Sequence, residues 1–114
     1  MGTQSFKDLL VWQRASDFSI SVYKTFLGVK DYSFRDQIQW AALSIPNNIA
    51  EGHARRSDKA FRNFLFIAKG SAAEVESMLL IATKLDYINI EKQTELTNQV
   101  QEIAKLLSGF IRKL

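Results

Sequence analysis

Two long runs of apolar residues at heptad spacing lie in the second half of this 114-residue chain. The steps within each run alternate between four and three residues, which places the side chains in one seam along an α-helix. The first run consists of Phe61, Leu65, Ala68, Ala72, Val75, Leu79 and Ala82, and the second of Leu96, Val100, Ile103, Leu107, Phe110 and Leu114. A helix over 58–86 would be about 40 Å long. It therefore needs a partner of similar length to bury its seam, and a helix over 90–113 supplies one.

The first half of the chain predicts two further amphipathic helices. One covers about residues 5–26, with Ser5 or Thr3 as its N-cap, and the other covers about 33–52, with Ser33 as its N-cap. Their apolar faces consist of Val11, Ala15, Phe18 and Val22 in the first helix, and of Phe34, Ile38, Ala41, Ile45 and Ile49 in the second. Short connections between four such helices favour an antiparallel arrangement of neighbours. The predicted fold is all-α, an antiparallel up-down-up-down four-helix bundle in which 1–114 form one domain.

Pro46 interrupts the apolar pattern of the second helix. A proline inside a helix removes one backbone hydrogen bond and costs about 3 kcal/mol when nothing relieves it. Because the apolar spacing continues across it, we expect one helix kinked at Pro46 rather than two helices. Asn47, Asn48 and Glu51 are interpreted as polar groups that satisfy freed backbone carbonyls, or alternatively as part of an interface or ligand notch.

Two further positions in the third helix carry predictions. Ser57 is expected to be its N-cap, followed by Asp58, whose charge the helix dipole favours. Gly70 is expected to be a packing glycine, placed where two helices approach closely.

The residue inventory argues against catalysis. The chain has no cysteine and one histidine, His53, which excludes disulfides, thiolate zinc sites and thiol nucleophiles. His53 is expected to have a capping or surface role, and Glu74 and Glu76 are spaced too closely to share one helical face. We predict that the protein is not an enzyme and that it holds no metal and no cofactor.

Hydropathy indicates no membrane role. The longest unbroken apolar run, 78–82, is far short of the roughly 18 residues that a spanning helix requires. The first residues also lack the long apolar core of a signal peptide. The expected location is the cytoplasm.

Basic residues are concentrated in one part of the chain, whose net charge is +3. Residues 53–70 contain five basic side chains and one acidic one, and residues 71–89 contain one basic and three acidic. The five are Arg55, Arg56, Lys59, Arg62 and Lys69, called the basic cluster below. Such a cluster at a helix N-terminus suits phosphate groups, although a solvated face that pairs with neighbouring carboxylates explains it equally well.

Apolar side chains also lie beside the four core faces. Trp12, Trp40, Phe64 and Phe66 occupy flanking helical positions that an isolated bundle would leave partly exposed. They predict the interface of a homo-oligomer, or alternatively a wide core. They also suit a structural adaptor that binds another protein and has no role with nucleic acid.

Three segments carry a family resemblance. Residues 37–52, QIQWAALSIPNNIAEG, followed by Arg55, Arg56 and Ser57, resemble the four-helix-bundle family named for proteins encoded in bacterial 23S rRNA intervening sequences. Residues 64–74, with FL, IAKGS and a glutamate, are similar to a second block of that family. Residues 9–23, with LxVWQ, Ala15 and Tyr23, are similar to its opening block.

This resemblance implies an up-and-down four-helix bundle. Related members assemble as homopentamers, including the accessory protein of diversity-generating retroelements, which binds a reverse transcriptase and nucleic acid. The resulting hypothesis is a non-catalytic homo-oligomeric module, pentameric by resemblance. It would bind RNA associated with 23S rRNA, or a nucleic-acid–protein assembly, through the basic cluster.

Overall fold

Four α-helices follow one another along the chain. A computed structural model of the protein describes residues 5–114. In it a 3₁₀ turn at Phe6–Asp8 precedes α1 (Leu10–Phe26), α2 (Tyr32–Ala54), α3 (Asp58–Lys84) and α4 (Ile90–Lys113). The helices form a bundle of 48 × 21 × 20 Å, and residues 5–114 contain no strand. The all-α four-helix fold is confirmed.

The helices are arranged in chain order around one core. Each helix packs against the next, and α1 closes the ring against α4, as an up-down-up-down bundle requires. The core contains every residue of the first heptad run and the first four of the second, and it is completed by residues of α1 and α2. Its largest fully buried side chains include Phe26, Ile38, Ile45, Ile49, Leu65, Leu79, Leu96, Ile103 and Leu107.

Side-chain caps define where three of the helices begin. Ser57 caps α3 as predicted, because its hydroxyl accepts a hydrogen bond from the Ala60 amide at 3.1 Å. Asn89 caps α4 in the same way, with the Lys92 amide at 2.8 Å. The prediction of Ser33 as the cap of α2 is wrong. Asp31 caps that helix, since one of its carboxylate oxygens accepts from the Phe34 amide at 3.2 Å.

The first helix begins later than its apolar pattern suggested. Ser5 caps only the 3₁₀ turn, accepting from the Lys7 amide at 3.2 Å, and Thr3 lies outside the described residues. Leu9 then has extended backbone angles (φ −76°, ψ 125°) and a buried side chain, so α1 starts at Leu10. This turn folds Phe6 back onto Trp12, with the two ring centroids 5.1 Å apart.

The second helix continues through Pro46 without a break. Nearby, the Asn48 side-chain amide donates to the Ser44 carbonyl at 2.7 Å and to the Ser44 hydroxyl at 3.1 Å. Asn48 therefore supplies an extra donor to Ser44, and not to the Ala42 carbonyl that Pro46 leaves without a backbone donor, so its interpretation stays a prediction. Asn47 is exposed. A bend at Pro46 stays a prediction.

The packing glycine is Gly52, and the prediction for Gly70 is wrong. A Cβ atom on Gly52 would lie 2.6 Å from the Phe64 Cβ atom, because α2 and α3 approach closely there. A Cβ atom on Gly70 would meet no atom within 4 Å. Gly70 lies on the exposed side of α3, where periodicity alone does not tell close approach from open space.

Candidate functional site

Charge is distributed unevenly along the long axis of the bundle. One half contains the α2–α3 connection, the start of α1 and the end of α4, and it holds ten of the fifteen Lys and Arg residues. It holds only five of the twelve Asp and Glu residues, so its net charge is 10 − 5 = +5, and the other half carries 5 − 7 = −2. The basic cluster lies in the positive half.

The two arginines of the α2–α3 connection have different environments. Arg55 forms an exposed ion pair with Glu51 one turn earlier, with nitrogen and oxygen 2.9 Å apart. Its guanidinium also lies 5.1 Å from the centroid of the Phe64 ring. Arg56 follows with a positive φ of 61°, which turns the chain out of α2 and towards the cap of α3. Both side chains are exposed, but Glu51 offsets part of the Arg55 charge.

Three cations of the basic cluster lie on α3, and a contact with α4 shows where two of them face. The Gln101 side-chain amide of α4 donates to the Glu76 carboxylate of α3 at 2.9 Å, which places Glu76 at the rim of the α3–α4 interface. Lys69 and Arg62 precede Glu76 by seven and fourteen residues. Residues seven apart on a helix differ by only about 20° in direction. Lys69 and Arg62 therefore lie along the same rim.

Two cations from outside the basic cluster lie on α4, and one of them, Lys105, also lines a recess against the start of α1. Lys105 and Arg112 follow Gln101 by four and eleven residues, and both are exposed. Because α3 and α4 are antiparallel, these steps lead into the same half of the bundle as Lys69 and Arg62. The spacing of Lys105 and Arg112 was visible in the sequence, but the register between the two helices was not.

The other rim of α3 is apolar. The Gln37 side-chain amide of α2 lies 3.4 Å from the Glu74 carboxylate, which marks the rim between α2 and α3. Ile67 and Ile81 lie seven residues on either side of Glu74, and Trp40 follows Gln37 by three. These three side chains, called the apolar edge below, are 52%, 45% and 71% exposed, respectively.

The four aromatic residues selected from the sequence fall into two groups. Trp40 and Phe66 are exposed, at 71% and 52%. Trp12 is half-buried against Phe6, and Phe64 is half-buried beneath Arg55. The side chains of Trp12 and Phe64 therefore make contacts within the chain, so that of these four residues only Trp40 and Phe66 are open to a partner.

The groups considered for catalysis are dispersed. His53 is half-buried in the last turn of α2, with its ring edge-on to Phe61 at a centroid distance of 5.7 Å. Glu74 and Glu76 contact different helices, as their spacing predicted. Across residues 5–114, no three or more His, Cys, Asp or Glu residues are grouped so that they could hold a metal ion. In the same part of the chain, no helix is long and apolar enough to cross a membrane.

A polar contact joins two of the segments that carry the family resemblance. The hydroxyl oxygens of Ser44 in α2 and Ser71 in α3 lie 2.6 Å apart, within hydrogen-bond distance. Since the Asn48 amide donates to the Ser44 hydroxyl, Asn48, Ser44 and Ser71 form one partly buried chain of hydrogen bonds. Between two apolar helices, such a chain favours one register, because a shifted register would leave buried polar groups without partners.

Comparison with known proteins supports the family resemblance and the four-helix fold. The family model of the 23S rRNA-intervening sequence protein matches residues 7–109. Among solved structures, the chain is similar to a protein of unknown function from the S23 ribosomal protein family of Bacteroides thetaiotaomicron VPI-5482, with 30% sequence identity and a TM-score of 0.84. That similarity covers 90% of this chain and 98% of the other. No curated protein matches the chain.

Proposed function

The chain belongs to the 23S rRNA-intervening sequence protein family, and we propose that it is a non-catalytic, homo-oligomeric module that binds RNA. The basic cluster Arg55, Arg56, Lys59, Arg62 and Lys69 forms its RNA-binding surface. The observation that carries the proposal is the net charge of +5 in the half of the bundle that contains this cluster. A concentrated positive field attracts the phosphate backbone and releases its counterions.

The lack of a catalytic role is supported by the positions of the reactive groups. General acid–base catalysis needs a titratable group positioned where a substrate can be held. The imidazole of His53 packs against Phe61, and the carboxylates of Glu74 and Glu76 contact side-chain amides at two separate rims. The carboxylates of Glu74 and Glu76 therefore face different neighbouring helices.

Self-association is supported by the apolar edge Trp40, Ile67 and Ile81. Exposed apolar surface of this kind usually marks an interface, and tryptophan is among the residues most often found at the centre of one. The family resemblance makes a pentamer the expected assembly.

The RNA-binding role is tested by the variant R55Q/R56Q/R62Q and a labelled, structured fragment of 23S rRNA. Removing one cation that contacts a phosphate lowers the slope of log affinity against log salt by about 0.7–0.9, so the slope should fall by about 2–3. Affinity at about 0.1 M salt should fall tenfold or more. The measurement is fluorescence anisotropy over a range of KCl concentrations.

The matched control is K24Q/K30Q/K92Q, which removes the same charge from the other half of the bundle. It should change affinity much less. Equal losses of affinity in the two triple variants, or an unchanged affinity in R55Q/R56Q/R62Q, would contradict the proposal. If the unmodified chain does not bind the RNA at all, the adaptor hypothesis replaces the RNA-binding proposal. The exposed Trp40 would then be the feature that indicates a protein partner.

A further inference from the structure

We propose that the RNA backbone is held in a two-walled groove between α3 and α4, with α4 supplying half of the cations. This groove, called the basic groove, is lined by Arg62 and Lys69 on α3 and by Lys105 and Arg112 on α4. The inference rests on the proposed RNA-binding function. It goes beyond that function because it assigns the contact to a specific surface and adds two residues from outside the basic cluster.

The register of the two helices places the walls opposite each other. Two contacts, fifteen residues apart on α3 and nine apart on α4, define how the helices face each other: the Gln101–Glu76 hydrogen bond at 2.9 Å, and the rings of Phe61 and Phe110 with centroids 5.2 Å apart. The segment of α3 between these contacts contains Lys69 and Arg62, and the segment of α4 contains Lys105. Arg112 lies just beyond Phe110, on the same side of α4 as Gln101.

The spacing of the cations suits a repeating polyanion. Arg62 and Lys69 are seven residues apart, as are Lys105 and Arg112, so each wall presents two charges separated by about 10 Å along the helix. On α4, Ala104 and Ser108 line a shallow recess together with Lys105 and Arg112, and α3 contributes no residue to its lining. The small side chains of Ala104 and Ser108 leave the α4 surface beside these two cations open, so a phosphodiester strand that contacts Lys105 and Arg112 can extend to Arg62 and Lys69 on α3.

These four cations are available for an external partner. None of them forms an ion pair within residues 5–114, whereas Arg55 of the α2–α3 connection is paired with Glu51. Glu76 lies at one end of the groove, and its carboxylate accepts a hydrogen bond from Gln101. The groove therefore changes from positive to negative at Glu76, and the strand should lie on the side towards Arg62 and Arg112.

The composition of the recess favours nucleic acid over an acidic protein. Protein interfaces are usually centred on aromatic or other large apolar anchors, and the recess residues Ala104, Lys105, Ser108 and Arg112 include none. A phosphate backbone needs charge without such an anchor. Because contacts with a phosphate backbone carry no direct information about the bases, binding should depend little on base sequence.

The test compares the double variant K105Q/R112Q on α4 with R62Q/K69Q on α3, using a labelled RNA hairpin and anisotropy over a range of KCl concentrations. The control K24Q/K30Q removes two charges from the opposite half. Each groove variant should lower the salt slope by about 1.4–1.8 and weaken binding at about 0.1 M salt by roughly tenfold. Circular dichroism should show the same helical content in all variants, since the substituted side chains lie at the surface.

The outcomes separate this inference from the proposed function. If R62Q/K69Q weakens binding while K105Q/R112Q behaves like the control, the two-walled groove is wrong and RNA binding through the basic cluster stands. If the unmodified chain does not bind the hairpin, both fail. If poly-glutamate of similar charge competes as effectively as unlabelled RNA, the groove binds acidic protein segments and the inference is overturned.

Discussion

At Gly52 the backbone of α2 lies so near α3 that a single added carbon has no room. Its Cβ atom would be 2.6 Å from the Phe64 Cβ atom and 3.0 Å from a ring carbon of Phe61. The Phe64 Cβ atom is bonded directly to the α3 backbone, so it cannot move aside cheaply. The sequence predicts Gly70 for this role instead, because glycine destabilises a helix interior unless close packing requires it. Periodicity does not show which helix faces cross closely. Position 52 therefore requires glycine because α2 and α3 approach closely there.

Gly52→Ala should therefore lower the free energy of unfolding by about 1–3 kcal/mol, the usual cost of an overfilled core. Gly70→Ala is the matched control, since its Cβ atom would meet nothing within 4 Å. In an exposed helix that change should raise stability by about 0.5–1 kcal/mol. Urea denaturation of the three proteins at one concentration measures both effects. A Gly52→Ala variant as stable as the unmodified chain would show that α2 and α3 are less closely packed there.

At the scale of the helices and their connections, one side chain joins two loops at the less basic end of the bundle. The Tyr87 hydroxyl, in the α3–α4 connection, donates to the Asp31 carboxylate at 2.6 Å, while the other oxygen of Asp31 caps α2. The Tyr87 ring also packs edge-on against Phe34, with centroids 5.4 Å apart. The sequence predicted Ser33 as the cap of α2. Nothing in the local pattern shows that Tyr87, 56 residues away, contacts the Asp31 carboxylate.

This hydrogen bond makes part of the stability depend on pH. The Tyr87 hydroxyl, and then the Phe34 amide, lower the pKa of Asp31, and the bond to Asp31 raises the pKa of Tyr87. A carboxylate with a lowered pKa contributes stability above its ordinary value of about 4 and loses it as the pH falls through the folded-state pKa. A tyrosine with a raised pKa contributes below about pH 10 and loses that stability as the pH rises further.

Tyr87→Phe should therefore lower the melting temperature most between about pH 5 and pH 9. The difference from the unmodified chain should shrink below about pH 4, where Asp31 becomes protonated, and above about pH 10, where Tyr87 ionises. Tyr32→Phe serves as the control, because Tyr32 is a 61% exposed tyrosine at the same end of the bundle. Its effect should not follow this profile. A Tyr87→Phe difference that stays constant from about pH 3 to about pH 10 would contradict the role of the bond.

At the scale of the whole molecule, the fold was predictable from the sequence. The surfaces proposed for binding were predictable only in part. Heptad spacing identifies which residues of α3 and α4 face inwards, and burial of those residues is enough to select a four-helix bundle. The two outer rims of α3 depend on its register with α2 and α4, which the Glu74 and Glu76 contacts fix. Periodicity within one helix contains no information about that register. For this reason the sequence prediction did not include Lys105, which only the proposed groove adds.

Predicted and observed surfaces also differ where irregular backbone intervenes. Trp12 occupies a flanking position of α1 that periodicity predicts to be exposed. The 3₁₀ turn at Phe6–Asp8 brings Phe6 onto its ring, and an apolar pattern continuous with that of α1 gave no sign of the break at Leu9. Trp40 has no such cover, so the apolar surface proposed for self-association moves to the α2–α3 rim.

The proposed self-association leads to the last prediction. The apolar edge lies on one rim of α3 and the basic groove on the other, so copies that associate through Trp40 and Ile67 would leave the groove open to RNA. Trp40→Glu/Ile67→Glu should dissociate the assembly, because an unpaired charge in an apolar interface is strongly unfavourable. Sedimentation velocity should then give the 13.0 kDa of one chain, against several times that mass for the unmodified protein.

Leu27→Glu/Ile90→Glu adds the same charge at exposed apolar positions at the less basic end and should remain assembled. If the unmodified chain sediments as a monomer, or the Trp40 variant stays assembled, self-association through this edge is wrong. Retained hairpin binding by the dissociated variant would further show that each bundle carries a complete groove.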